Sequence, residues 1–129
     1  MISIEEMETM LDEIANELPE EFYKDLNGGV VLLPEMKMHE KSMSDDLYVM
    51  GEYHSSRNLG RYISIYYGSF SALYGRLSKP QIKEKLKNTL KHEFKHHLES
   101  LSGEHELETQ DSQKIAEYIY KKKNRGMIK

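Results

Sequence analysis

The sequence predicts an α+β fold: a small, mostly antiparallel sheet of three to four strands packed on one long helix, with further helices at the N- and C-terminal ends. Three observations predict it. Apolar residues recur at helical spacing in Ile4, Met7, Leu11, Ile14 and Leu18, and again in Ile82, Leu86, Leu90, Phe94, Leu98 and Leu101. Three short apolar or alternating runs lie between those stripes, bounded by glycine, proline and polar residues. The second helical stripe also carries His92-Glu93-Phe94-Lys95-His96, an H-E-x-x-H pattern.

Each element follows in order. Ser3 and Glu6 make a capping box before the first stripe, which stops near Pro19. Pro19 to Tyr23 suggests a short second helical piece, closed by Asn27-Gly28-Gly29. The acids of this region read as a solvated face. Val30-Val31-Leu32-Leu33, between glycines and Pro34, reads as a buried strand. Residues 35–46 are polar with interspersed methionines and read as a loop. Leu47 to Tyr53 reads as a second strand and Arg61 to Tyr67 as a third. Phe70, Leu73, Tyr74 and Leu77 suggest a short helix. Ser78-Lys79-Pro80-Gln81 then caps the long one, which Gly103 ends. Residues from Glu104 through Ile119 carry a last helical pattern.

Composition sets bounds on function. The 129 residues are 38% hydrophobic and 31% charged, which suits one domain spanning 1–129. Net charge is −4 and no basic block precedes the C-terminal Lys121–Arg125 run, which argues against nucleic acid as a partner. There is no cysteine, so disulfides, thiolate metal ligands and a cysteine nucleophile are all excluded. The N-terminus is acidic without an apolar signal core, and no run is long enough for a membrane span. The expectation is a cytoplasmic protein with no membrane partner.

The histidine pattern carries the chemistry. In a helix, residues i and i+4 stand nearly one above the other, so His92 and His96 can share one zinc ion. Glu93 is then placed as general base on a metal-activated water. The helical rotation puts both histidines away from the Phe94 stripe and His97 nearer to it. His97 therefore reads as a packed or supporting histidine. Glu99 lies on the histidine face one turn beyond His96 and suits a supporting role. A catalytic zinc needs a third protein ligand and an open position. Glu104 is the first choice, with Glu108 and Asp111 as alternatives, and His105 stays open. Histidine and carboxylate donors also suit cobalt, nickel or manganese. Tyr66, in the third strand, is a candidate to touch substrate or the oxyanion.

His92-Glu93-Phe94-Lys95-His96-His97 resembles the H-E-x-x-H-H motif of a small bacterial zincin-like metallopeptidase family. Tyr48 to Tyr53 resembles that family's glycine-containing strand. Ile63-Ser64-Ile65-Tyr66-Tyr67-Gly68 resembles its I-x-L-Y-x-G strand, and Leu18 to Phe22 its L-P-x-x-F element. The resemblance spans most of the chain. It implies a minimal zincin-like fold, zinc at His92 and His96, and Glu93 as base. It also implies that the strand beside the motif helix binds extended peptide along its edge, here expected to be Tyr62 to Tyr67. The segment after His97 departs from the family's short H-H-F-G, which leaves the third ligand open. The expected function is zinc-dependent hydrolysis of peptide or protein substrates. The alternative is a metal-binding or regulatory interaction domain that keeps the zincin shell with weak turnover or none.

Overall fold

The computed structural model describes residues 1–40 and 47–103. Helix α1 (Ile4–Glu17) opens on the expected capping box: the Glu6 N–H donates to Ser3 Oγ, and the Ser3 N–H donates to the Glu6 carboxylate, both at 3.1 Å. Its apolar stripe buries Met7, Met10, Leu11 and Ile14. A 3₁₀ turn (Glu20–Tyr23) follows. Five strands come next: β1 (Gly29–Leu33), β2 (Lys37–Met38), β3 (Tyr48–Val49), β4 (Gly51–Ser56) and β5 (Gly60–Tyr66). Helix α2 (Tyr67–Tyr74) leads to α3 (Lys79–Leu101), capped by Ser78 and Gln81 with Pro80 in its first turn. The helix expected from Glu104 onward lies outside the described residues. No helix among the described residues is long and apolar enough to cross a membrane.

The fold is α+β, as expected, with a mixed sheet in place of a mostly antiparallel one. The strand order is β1-β5-β4, with β1 parallel and β4 antiparallel to β5. Three intervening strands separate β1 from β5 in sequence, so the chain has room to return and enter the sheet in the same direction. The expected strand over 47–53 breaks at Met50. Its first part, β3, leaves the main sheet and pairs with β2, inside the segment expected as loop. Two residues of strand are too few to show a periodicity.

Side chains alternate across the sheet, so paired residues share a face. Ile63 and Ile65 of β5 face α3 and are fully buried. Gly51, paired with Ile65, sits on that face against Thr89 of α3. A methyl group added at Gly51 meets Thr89 Cγ2 and Ile65 Cδ1 at 3.1 Å and the Ser64 carbonyl oxygen at 3.2 Å. The missing side chain lets strand and helix approach closely, one turn before Glu93.

Three ion pairs join α1 to α3: Glu6–Lys79 at 2.6 Å, Glu13–Lys83 at 3.6 Å and Glu17–Lys87 at 3.1 Å. The partners advance together, so the helices run side by side in the same direction. Part of the acidic face of α1 is therefore matched to a lysine row spaced at i, i+4 on α3. On the next face of α3, Phe94 packs against Phe22 (5.6 Å) and edge-on against Tyr23 (4.9 Å), which holds the 3₁₀ turn on the helix.

This packing can be tested at the glycine and at the ion pairs. Gly51→Val is expected to destabilise the fold by about 1–3 kcal/mol through overpacking, read by chemical denaturation. Unchanged stability would mean that the glycine does not set the strand–helix distance. The ion pairs bear on the response to acid. Hydrogen bonds from Lys79 and Lys87 hold the Glu6 and Glu17 carboxyls below the usual carboxylate value of 4.5. A depressed folded pKa gives stability that is present above 4.5 and lost as pH falls through the folded value. The double variant Glu6→Gln, Glu17→Gln is expected to flatten the stability–pH curve below pH 4.5. An unchanged slope there would remove these pairs from the acid response.

Candidate functional site

The H-E-x-x-H turn lies in the C-terminal half of α3 and is largely enclosed. His92 is 8% exposed, Glu93 2%, and Phe94 and His97 are fully buried, while Lys95 and His96 are half-buried. A helix that only packs places apolar residues where it is covered, because a buried carboxylate is costly unless it is bonded or paired. Here three polar residues of one six-residue stretch are buried together. His92 is enclosed although it lies off the Leu90–Phe94 stripe, which the sequence pattern does not reveal.

The rings of His92 and His96 stand 5.1 Å apart, nearly perpendicular at 79°. A tetrahedral zinc held about 2.0–2.1 Å from one nitrogen of each ring puts the two ring centres roughly 5 Å apart. The spacing of the two rings is compatible with two of the ligand positions. Among the described residues no group of three or more histidines and carboxylates comes together to complete a metal site. Glu104, Glu108, Asp111 and His105, the candidates for the third ligand, lie outside the described residues. Glu99, one turn past His96, is half-buried. Burial pushes its carboxyl up, opposed by the charge of Lys95, and its Oε1 has no hydrogen-bond partner among the described residues.

His97 is held from both ring nitrogens. Nε2 lies 2.7 Å from the Lys24 carbonyl and Nδ1 lies 2.9 Å from the Tyr53 hydroxyl. This matches the packed place expected for it. Tyr53 belongs to β4 and faces α3, as does Gly51 two residues earlier. Glu93 thus falls between two touching points of β4 and α3: Gly51 against Thr89, and Tyr53 against His97. These lie four residues, one helical turn, to either side of it.

Among the described residues β4 is an edge of the sheet and β5 is its centre. The expectation that the third strand offers a free edge is therefore corrected. Strand β5 is paired on both sides and has no backbone edge to give. The Tyr66 N–H donates to the Met50 carbonyl, so Met50, Glu52 and His54 direct their backbone groups to β5. Gly51, Tyr53 and Ser55 then direct theirs to the outer side of β4.

Tyr66 does not join the histidines. It alternates onto the opposite face of the sheet, where its hydroxyl donates to the Glu52 carboxylate at 2.5 Å. The Ser64 hydroxyl donates to Tyr66 at 3.3 Å, and His54 Nε2 lies 2.8 Å from Ser64 Oγ. Lys37 of β2 closes the chain on Glu52 at 2.5 Å. Burial pushes the Glu52 carboxyl up, but the hydrogen bonds from Lys37 and Tyr66 outweigh it and leave the group below the usual value. The same carboxylate, after burial, holds the Tyr66 phenol above its ordinary value. Sequence reasoning missed Tyr53, Glu52 and Lys37 as partners. Alternation in 51–56 and 61–66 separates the two faces, but only the register tells which residues meet.

No family model matches this chain, and no curated protein matches it. Among solved structures, a conserved hypothetical protein from Thermo thermophilus matches with a TM-score of 0.67 and 32% sequence identity. The match covers 78% of this chain and 98% of that one. The chain is thus a structural relative of that conserved hypothetical protein, whose length it covers almost completely.

Proposed function

We propose that this chain is a zinc-dependent metallopeptidase. The observation that carries the reading is the turn His92–His96: two imidazoles at a spacing that suits one zinc, on a helix with an edge strand alongside. The resemblance of the motif to that of small zincin-like metallopeptidases supports it. His92 and His96 would hold the ion, with Glu104 as third ligand and Glu108 or Asp111 as alternatives. Bound zinc supplies Lewis acidity, polarising the scissile carbonyl and lowering the pKa of water toward neutrality. Glu93 takes the attacking water's proton on its carboxylate and returns it to the leaving amine. The outward backbone groups of Gly51 and Tyr53 offer a peptide the pairing that β5 cannot. His97 and Glu99 support the histidine turn.

The burial of Glu93, only 2% exposed, favours a second reading. A general base closed off from a peptide suits a metal-binding or regulatory domain that does not turn over. Zinc content and peptide hydrolysis separate the two. The purified wild type is expected to carry a single zinc, His96→Ala to lose it, and Glu93→Gln to keep it. Hydrolysis of a mixed peptide library is expected to vanish with chelator and to fall about 10²–10⁴-fold in Glu93→Gln. Zinc without hydrolysis would favour the second reading. A wild type that takes no added zinc would overturn both.

A further inference from the structure

We infer that Tyr53 and His97 form a clasp whose work is to position the His92–His96 turn against the edge strand. The inference rests on the metallopeptidase reading for its purpose, though the clasp itself stands on geometry.

His97 is fully enclosed, and each ring nitrogen reaches a different element. The Lys24 carbonyl can only accept, so Nε2 donates to it. In a neutral ring Nδ1 is then the acceptor for the Tyr53 hydroxyl. One side chain thus joins α3 to β4 on one side and to the segment after the 3₁₀ turn on the other. The rings of Tyr53 and His97 also touch, at 5.3 Å between centres. Phe94, three residues earlier, tightens the same junction against Phe22 and Tyr23.

Two directional hydrogen bonds to different elements oppose rotation of the helix about its axis, in addition to its apolar packing. Side-chain tips lie about 5–6 Å from a helix axis, so each 10° of rotation moves them about 1 Å. His92, Glu93 and His96 are on the turn that the clasp holds. A displacement of about 1 Å in a reacting group can cost about 10²-fold in rate. Tyr53 also directs its own backbone groups to the outer side of β4, so one residue sets both the strand edge and the helix beside it. Through their side chains, Tyr53 and His97 act on the turn by way of each other and the Lys24 carbonyl, as positioning residues.

The test compares Tyr53→Phe with Tyr23→Phe. Each removes a single half-buried hydroxyl beside the same helix; that of Tyr23 donates to the Ala15 carbonyl at 3.0 Å and takes no part in the clasp. In the zinc-free protein, the imidazole nitrogen signals of His92 and His96 are expected to move in Tyr53→Phe and stay in place in Tyr23→Phe. Zinc affinity is expected to fall about tenfold in the first variant only, toward the low end of the loss typical of supporting residues. His97→Asn, too short to span both partners, is a second variant expected to show the same displacement if Tyr53→Phe does not fold. Movement of the His97 signals alone, or equal movement in both tyrosine variants, would overturn the clasp. If the wild type takes no zinc, the metallopeptidase reading fails by itself, and the imidazole signals still decide whether the clasp positions the turn.

Discussion

The close approach of β4 to α3 is the constraint on which the rest of the site depends. It requires the absence of a side chain at Gly51, because the space above it is already filled by Thr89, Ile65 and a backbone carbonyl. The Ser64 carbonyl belongs to a central strand and cannot swing aside as a flexible side chain can. With strand and helix at that distance, Tyr53 reaches His97 and Glu93 is enclosed between the two contacts. The rest of α3 is tied down turn by turn. Its start is fixed by a capping box, its first three turns by lysines paired to α1, and the motif region by Phe94 and His97. Exposed ion pairs each contribute little. Here they matter for alignment, since they set which turn of α1 lies beside which turn of α3.

The two faces of the main sheet do separate work. The face toward α3 has Ile63 and Ile65 buried at its centre. The other face carries a chain of polar groups from His54 through Ser64 and Tyr66 to Glu52 and Lys37. Its donors run in one direction. Ser64 gives its proton to Tyr66 and Tyr66 gives its own to Glu52, so His54 Nε2 is left to donate to Ser64. All of this converges on one carboxylate, which explains why the hydrogen bonds outweigh burial at Glu52. The network also fastens the small β2–β3 sheet, because Lys37 lies on β2. Ser69 of α2 accepts from the Lys37 N–H at 2.9 Å and donates to its carbonyl at 3.2 Å, clamping the same residue from the helix side.

How much of this the sequence discloses depends on the range of each interaction. Both long helices are legible because stripe, capping box and first-turn proline are local, and each agrees with the others. His97 is legible as a packed residue from helical rotation alone. The pairing of β1 with β5 is not, because parallel register depends on the path of everything between them. The break at Met50 is equally hidden, since 47–53 reads as one strand whichever partners its halves take. The β1–β5 pairing decides which strand is the edge, so the sequence points to Tyr62–Tyr67 where the fold puts Gly51–Ser56. Tyr66 shows the same limit from the other side. Its neighbours in sequence suit a strand near the motif, but the parity of β5 turns its hydroxyl to Glu52.

Helix geometry also limits where a third metal donor can come from. At 1.5 Å of rise per residue, Glu99 lies about 10 Å along the axis from His92, too far to share an ion held between His92 and His96. The position one turn before His92 is Asn88, which is exposed, and its immediate neighbour Thr89 is committed to the Gly51 contact. Lys95, the remaining neighbour on that side, is a cation. Under the proposed reading, α3 then provides two donors, and a complete site requires a carboxylate or imidazole from another segment. This makes metal binding a tertiary event, in which a two-histidine turn held rigid by β4 waits on one further side chain. Rigidity in the pair then matters more than in a site whose ligands all share one helix, because the third donor has to meet a position already fixed. Under the same reading, a histidine clasped on both nitrogens directly after the motif supplies that rigidity.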